Sequence, residues 1–341
     1  MEKRSIGPSG LELTRVGFGS APIGDLNRAP SDEATRALLQ NAWDAAVRYF
    51  DTAPMYGAGL AERRIGDFLR DKPRDDYVLS SKVGRLLVPD RAAAMARYND
   101  PRAMPFRYVF DYTYAGIMKS YENSLQRLGL ERIDILLLHD LGQFSQRARH
   151  EETWKQATDG GGIKALMELR DSGAIRAIGA GVNEAPILEL LMDHGQWDVF
   201  LLANRYTLLD QAVLDGLLPR CAREGVSIID GAPLNAGILA TGAVPGAQYD
   251  YAPASEAILD RVHRIEAVCR RYDTPLVRAA LNFPLGHERV AAIIPGFAQP
   301  SDLEQNLAHY HARIPDELWS ELKREGLLHP DAPAPQTPVL G

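Results

Sequence analysis

The chain has 341 residues, 45% of them apolar and 24% charged, and its 38 Lys plus Arg against 45 Asp plus Glu give a formal net charge of −7. That much apolar content excludes a disordered chain, and the deficit of positive charge argues against a nucleic-acid binder, which needs a basic face. Two cysteines, Cys221 and Cys269, make neither a disulfide scaffold nor a zinc set; both fall in helix-like stretches and read as reduced, half-buried thiols. The opening MEKRSIGPSG carries charge with no apolar stretch behind it, unlike a signal peptide. No apolar run approaches the roughly 18 residues of a membrane span, so a cytoplasmic protein is expected.

In chain order, residues 4–6 and 11–14 flank Gly-Pro-Ser-Gly and predict a small hairpin. Eight strand-like runs follow, at 16–19, 49–51, 78–81, 133–138, 177–181, 199–203, 227–230 and 290–294. Helical patterns lie between them at 31–47, 61–69, 111–128, 163–172, 185–193, 212–224 and 255–285, the last split near Pro275. Ser31 is placed to cap the first of these, with Ala34 at the capping-box position, and Gly129 is placed to end the helix at Leu128 in a left-handed conformation.

Strands alternating with helices imply a parallel sheet, and eight such units suffice to close it. The competing open doubly wound sheet needs a Gly-x-Gly-x-x-Gly turn after its first strand. Here Gly17 and Gly19 lead into Ser20-Ala21-Pro22, where the proline disturbs a phosphate-binding helix. The expected architecture is therefore an α/β protein: a single (β/α)8 barrel over residues 1–326 with an N-terminal β-hairpin. Long stretches at 85–110 and 234–253 follow strands, and so belong at the C-terminal face, where barrel enzymes carry their sites. Residues 327–341 form a tail with prolines at 330, 333, 335 and 338, which fits a mobile tail as well as a docked one.

Barrel geometry brings four polar residues to one mouth: Asp51 and Tyr56 from the second strand and its loop, Lys82 from the third, and His139 from the fourth. An ammonium near a phenol favours the phenolate, so Lys82 is expected to draw the Tyr56 pKa down from its usual value near 10. Asp51 would keep Lys82 charged, and His139 could hydrogen-bond a substrate oxygen beside Tyr56. A phenol used this way moves a proton on or off an alcohol or carbonyl oxygen. Redox chemistry there needs an electron-pair acceptor, and these residues make no metal set.

FDTAPMYG, SSKVG, LLLHD and the late IIPG resemble the aldo-keto reductase superfamily, over residues from about 4 to 326. The resemblance implies Tyr56 as proton donor or acceptor, tuned by Lys82 and Asp51, with His139 orienting the substrate. RSIGPSGLELTRVGFGSAPIG, IGAGVNE and IIDGAPLNAGIL are similar to the branch holding D-threo-aldose (L-fucose) 1-dehydrogenases, L-galactose dehydrogenase and pyridoxal 4-dehydrogenase. The resemblance further implies a nicotinamide nucleotide extended over the mouth. Its expected contacts are Gly19, Ser20 and Asp51; Asn183 with Asn204 or Arg205 on the carboxamide; Gly231, Ala232, Pro233 and Leu234; Asn235, Gly237 and Ile238 at the pyrophosphate; and Pro295, Gly296, Phe297, Asp302, Gln305 and Asn306. The turn at 236–238 could offer its amides as an anion nest or serve as a plain loop turn.

Departures from the family pattern sharpen these expectations. Relatives that bind NADPH place Lys, Ser and then Arg where Gly296, Phe297 and Asp302 stand here; a carboxylate there repels a 2′-phosphate, so NAD is preferred, with NADP possible if Arg270 or Arg271 supplies the missing charge. Gly231 stands where many relatives stack a tyrosine on the nicotinamide. The substrate walls are Ala21, Met55 and Asp140 beside Tyr56 and His139. A carboxylate suits a hydroxyl-rich substrate, unless Asp140 turns away to Arg85 or Arg107. His309 and His311, His150-Glu151-Glu152, and the pair Arg147 and Arg149 read as surface features, and Trp43 and Trp319 as packing. The expected activity is oxidation of an aldose of the L-fucose, D-arabinose or L-galactose type, at its anomeric carbon, to the lactone. The alternatives are oxidation of pyridoxal to 4-pyridoxolactone or general aldehyde and ketone reduction, with a non-catalytic nicotinamide-binding regulator as the remote one. The partner is then a small sugar or hemiacetal, with no nucleic acid or membrane, and the oligomeric state is not readable.

Overall fold

Short runs of β-branched and apolar residues, each followed by an amphipathic helix, pair side by side and in parallel, as such units must when their connections cross over the sheet. The computed structural model describes residues 1–24, 30–98 and 103–335. Its strands in chain order are β1 (Lys3–Ile6), β2 (Leu11–Thr14), β3 (Phe18–Gly19), β4 (Tyr49–Asp51), β5 (Val78–Val83), β6 (Arg85–Pro89) and β7 (Phe106–Phe110). They continue with β8 (Ile135–His139), β9 (Ala177–Val182), β10 (Val199–Ala203), β11 (Ser227–Gly231), β12 (Gln248–Tyr249), β13 (Ala252–Pro253) and β14 (Val290–Ile294).

The central sheet runs β3-β4-β5-β8-β9-β10-β11-β14. Its two edges meet through parallel bridges Val16 to Ile293 and Gly19 to Gly296, and the Gly17 amide donates to the Ile293 carbonyl at 2.9 Å. The sheet therefore closes into a ring, which is the expected barrel. Side chains alternate across each strand. Tyr49, Ile135, Leu137, Ala177, Val199, Leu201, Ile229, Ala292 and Ile294 fill the interior together with Ile6, Leu11 and Leu13. The antiparallel β1–β2 hairpin thus plugs the N-terminal end with its own apolar face. The other face of every strand packs against the helices in a larger core that includes Trp319, buried as expected.

Ser31 accepts from the Ala34 amide at 3.2 Å and Gly129 adopts φ 64°, so both caps stand where the sequence places them. Two helices differ from expectation. The segment expected from residue 111 begins at Tyr114, because Asp111 instead receives the Thr113 amide and hydroxyl and Thr113 becomes the cap. The segment expected over 212–224 is a 3-10 turn, Ala212–Asp215, and then a helix, Leu217–Glu224, separated at Gly216, whose φ of −140° and ψ of −79° are not helical.

Neither long stretch is structureless. Residues 85–110 hold the antiparallel β6–β7 pair and a helix, Arg91–Tyr98; residues 234–253 hold a short helix, Ile238–Thr241, and the β12–β13 hairpin. In the tail, Leu327, Leu328 and Ala332 are buried, and the His329 amide donates to Gln211 Oε1 at 3.3 Å. Pro338 lies outside the described residues.

Asp230 follows the inward-facing Ile229, so its carboxyl points outward into the helix layer. It is fully buried, and neither oxygen has a hydrogen-bond partner among the described residues. Burial holds its pKa well above the ordinary carboxylate range. An acid whose pKa is raised on folding favours the folded state below its unfolded pKa, and stability falls as pH rises toward the folded value. Asp230→Asn should therefore raise the melting temperature at pH 8, by about 2–4 °C for each kcal/mol recovered. That gain should shrink toward pH 4; a melting series across this range checks both.

Candidate active site

Because alternate residues face inward, the last interior positions of adjacent strands converge on the mouth. Asp51 ends β4, Lys82 lies on β5 and His139 ends β8. Lys82 Nζ donates to Asp51 Oδ2 at 2.7 Å and to the Thr52 carbonyl at 3.0 Å, with both side chains about 2% exposed. Asp51 Oδ1 accepts from the Ser80 hydroxyl at 2.7 Å, and Ser80 Oγ lies 2.9 Å from the Tyr49 hydroxyl. The ammonium sits 4.8 Å from the centre of the Tyr56 ring. Tyr56 and His139 meet edge to face, 5.9 Å between centroids.

Tyr56 reaches this place from a tight turn: its amide bonds the Ala53 carbonyl, and the Tyr56–Gly57 backbone packs directly against Gly24. A Cβ on Gly57, at φ 63°, would stand 2.2 Å from the Gly24 carbonyl oxygen, and one on Gly24 would stand 2.6 Å from the Tyr56 carbonyl carbon. Only glycines let these backbones touch. His139 is fixed through its backbone, where its carbonyl accepts from the Tyr112 hydroxyl, which Gln146 bonds in turn. Gly181, at the adjacent strand end, leaves room for the Lys82 stem; a Cβ there would lie 3.3 Å from Lys82 Cε.

Electrostatics divide the four groups. Burial works against the Lys82 charge, but Asp51 and Tyr56 outweigh it and leave the ammonium pKa above the usual lysine value. Burial, helped by the cations Arg85 and Lys82, pushes His139 well below the ordinary histidine range, so its ring is neutral. Tyr56 departs from expectation: burial raises its pKa, and although Lys82 pulls it down, the phenol ends above rather than below its ordinary value. Desolvation disfavours the anion more than one ammonium, itself shared with Asp51, can offset.

These residues open into a cavity of about 670 Å³, lined by Ala21, Met55, Tyr56, Lys82, His139 and Asp140, and further by Phe144, Asn183, Leu201, Ala203 and Tyr251. The substrate walls expected from sequence are thus all on it. Asp140 does turn to Arg85, with which it forms an ion pair, yet its carboxylate still borders the cavity and lies 3.6 Å from His139 Nε2. Arg107 pairs instead with Asp90.

Most residues expected to hold a nucleotide stand on the rest of the ring, at or just after the ends of β9, β10, β11, β14 and β3; Asp51 ends β4, and Asp302, Gln305 and Asn306 lie on the helix Pro300–His311. Among them the Ser20 hydroxyl and one oxygen each of Asn204 and Asn235 are buried without partners. Such orphaned groups await a polar ligand, so this arc fits the nucleotide. Asn183, Asn204 and Asn235 form a chain, with Asn204 Nδ2 donating to Asn183 Oδ1 at 3.4 Å and Asn235 Nδ2 to the Asn204 carbonyl at 3.3 Å.

Four expectations need correction. Arg205 is spent on the Asn183 carbonyl and on Asp250, at 2.8 and 2.9 Å, and does not line the cavity. Phe297 is completely buried against Phe18, 5.5 Å between centroids, as core rather than contact. Asp302 does not present a free charge: its carboxylate accepts from the Ala298 and Gln299 amides at 3.0 and 3.1 Å and caps the helix Pro300–His311. The Asn235, Gly237 and Ile238 amides already donate within their own loop, so the segment is a turn rather than an open nest. At Gly231, a Cβ would meet Leu201 at 2.9 Å; the cavity wall beside it is made by Leu201 and Ala203. Sequence reading missed Ser80, which shares the inward face of β5 two residues before Lys82, so the strand period alone could have found it. Phe144 and Tyr251 left no comparable signal.

Tyr56, Lys82, Asp51 and His139 thus converge at the C-terminal mouth of a closed barrel, beside the buried, unpartnered Ser20 hydroxyl and amide oxygens of Asn204 and Asn235. The chain belongs to the aldo/keto reductase family, whose model matches residues 15–325. It is 41% identical over 336 residues to pyridoxal 4-dehydrogenase of Microbacterium luteolum, covering 96% of this chain and 98% of that protein. It is 38% identical over 325 residues to D-threo-aldose 1-dehydrogenase of a Pseudomonas species, covering 94% and 96%. An aldo-keto reductase from Bacillus halodurans, 22% identical, shares the fold with a TM-score of 0.73 over 96% of this chain and 97% of its own. Among the described residues no helix is long and apolar enough to cross a membrane, and no cluster of metal-ligating side chains occurs.

Breaking the buried pair from one side should be costly. Asp51→Asn strands the Lys82 charge and should lower unfolding free energy by about 3–5 kcal/mol, read as a lower urea midpoint. The double variant Asp51→Asn, Lys82→Met should recover part of that loss.

Proposed function

We propose that this protein oxidises the hydroxyl of a cyclic hemiacetal to the lactone, with NAD as the preferred acceptor. The buried Tyr56–Lys82–Asp51 arrangement carries this reading. A bound nicotinamide would supply the hydride acceptor. Ser20, Asn183, Asn204 and Asn235 would hold it. Tyr56 takes the proton of the hemiacetal hydroxyl as the carbon–oxygen double bond forms, and the nearby Lys82 ammonium stabilises the phenolate while Asp51 keeps that ammonium charged. Neutral His139 hydrogen-bonds the same oxygen, and Asp140 accepts a hydrogen bond from a second polar group of the substrate. One two-electron step completes a lactone, so one phenolic base suffices. An aldose and pyridoxal, the compounds that the names of two relatives print, each form such a cyclic hemiacetal, which supports the shared class. A cytoplasmic setting fits a pyridine-nucleotide enzyme of this kind.

The preference for NAD is supported by Gly296 and Asp302, which offer no cation to a 2′-phosphate, and by Arg271, whose Nε donates to Glu321 Oε1 at 2.7 Å on another helix. Comparison of kcat/KM with the two nucleotides should favour NAD at least tenfold, a modest charge effect of about 1.4 kcal/mol; a tenfold preference for NADP would overturn this assignment.

Because burial keeps the Tyr56 phenol protonated near neutrality, oxidation should speed up as pH rises into the alkaline range. Tyr56→Phe should lower kcat by about 10²–10⁴-fold and flatten that profile, while NADH still binds by fluorescence titration. Unchanged NADH production from every active substrate would remove the phenol from the mechanism.

A further inference from the structure

The inner wall of the catalytic cavity mixes small, aliphatic and polar side chains, Ala21, Ala203, Met55, Leu201 and Asp140, and its rim carries exposed aromatic rings. Five large hydrophobic side chains are exposed among the described residues, and two of them, Phe144 at 45% and Tyr251 at 65%, line this one cavity. They come from separate elements. Phe144 lies on the short helix Gln143–Gln146 that follows β8, with its amide donating to Glu184 Oε1 at 2.7 Å. Tyr251 is at the tip of the β12–β13 hairpin that follows β11. In the ring order, β8 and β11 are separated by β9 and β10, so their loops approach the mouth from well-separated sides.

Tyr251 is held there against conformational preference. It and Asp250 both have positive φ, 64° and 50°, as a two-residue hairpin turn of the favoured twist requires, although neither is glycine. The tip is tied down: Asp250 accepts from Arg205, which also grips the Asn183 carbonyl, and the Tyr251 hydroxyl lies 3.3 Å from Asn183 Oδ1. A strained, anchored turn that leaves a large ring in water beside the catalytic groups has a ligand-binding rationale.

We infer that Phe144 and Tyr251 form an aromatic clamp for the ring of the substrate, selecting a planar heteroaromatic hemiacetal over an aldopyranose. This rests on the hemiacetal reading above and narrows it. Two aromatic faces gain offset-stacking and burial energy from a flat π-system. A pyranose brings hydroxyls on every edge, and these rings offer them only the acceptor lone pairs of the Tyr251 hydroxyl, whose proton goes to Asn183.

The test compares wild type with Phe144→Leu, Tyr251→Leu and Tyr251→Phe, surface changes that leave the core intact. One arm measures kcat/KM with NAD for pyridoxal and for L-fucose. The other measures, by titration calorimetry on the NADH-loaded protein, the affinities of 4-pyridoxolactone and L-fuconolactone. The wild type should prefer the pyridine compounds in both arms. Each Leu variant should lose about tenfold of that preference, as the ratio of the two, consistent with the worth of an aromatic pair, and Tyr251→Phe should keep it. Equal losses on both ligands, no loss, or a wild type that binds the sugar lactone better would overturn the clamp. A wild type that oxidises neither compound refutes the hemiacetal reading, and the calorimetric arm then still decides the clamp.

Discussion

A charge pair buried at the mouth of the barrel sets the terms for everything around it. Lys82 and Asp51 lie 2.7 Å apart with almost no exposure, and taking two ions out of water is repaid only when geometry and further hydrogen bonds are good. The chain supplies both. Ser80 and the Thr52 carbonyl complete the pair, Tyr49 completes Ser80, and Gly181 leaves space for the lysine stem. A fully hydrophobic pair of similar volume can be as stable, so fold stability alone does not account for these two charges. The pair places a fixed positive charge beside a phenol that burial alone would make inert as a base.

Around this pair the ring of strands divides into two arcs. β4, β5 and β8 present proton chemistry, while β9, β10, β11, β14 and β3 present amides and hydroxyls, several without partners. The division lets one cavity hold an electron acceptor and a hydroxyl side by side without a separate nucleotide domain. Loops after β8 and β11 then add Phe144 and Tyr251 above a floor where Ala21, Met55, Leu201 and Ala203 stand beside the polar catalytic groups. Rigid strand ends hold Asp51, Lys82 and His139, a glycine-packed turn holds Tyr56, and the segments that cross the mouth carry Phe144 and Tyr251.

Much of this was legible before the chain was folded. The eight strand runs and the hairpin follow from periodicity and turn residues, the Ser31 and Gly129 caps from residue type, and Asp51, Lys82 and His139 from strand ends that define one rim, with Tyr56 in the loop after the second. Charges were the hardest to read. Asp302 was expected to repel a phosphate and instead caps its own helix; Arg205 was expected near the carboxamide and instead ties down Asp250. Whether a charged side chain faces a ligand depends on which backbone amides and counter-charges lie within about 3 Å, and those come from residues far along the chain.

The amino-acid order alone specifies which strand residues reach the catalytic mouth, Asp51, Lys82 and His139 among them, since alternation along a strand is a local rule and the closed ring needs eight similar units. It does not specify how those groups titrate or what the cavity excludes. The Tyr56 pKa turns on the balance between burial and a shared ammonium, and the rim depends on where a hairpin tip at Tyr251 and a short helix at Phe144 come to rest. Both are properties of distances between distant segments, and only folding brings those segments within reach of each other.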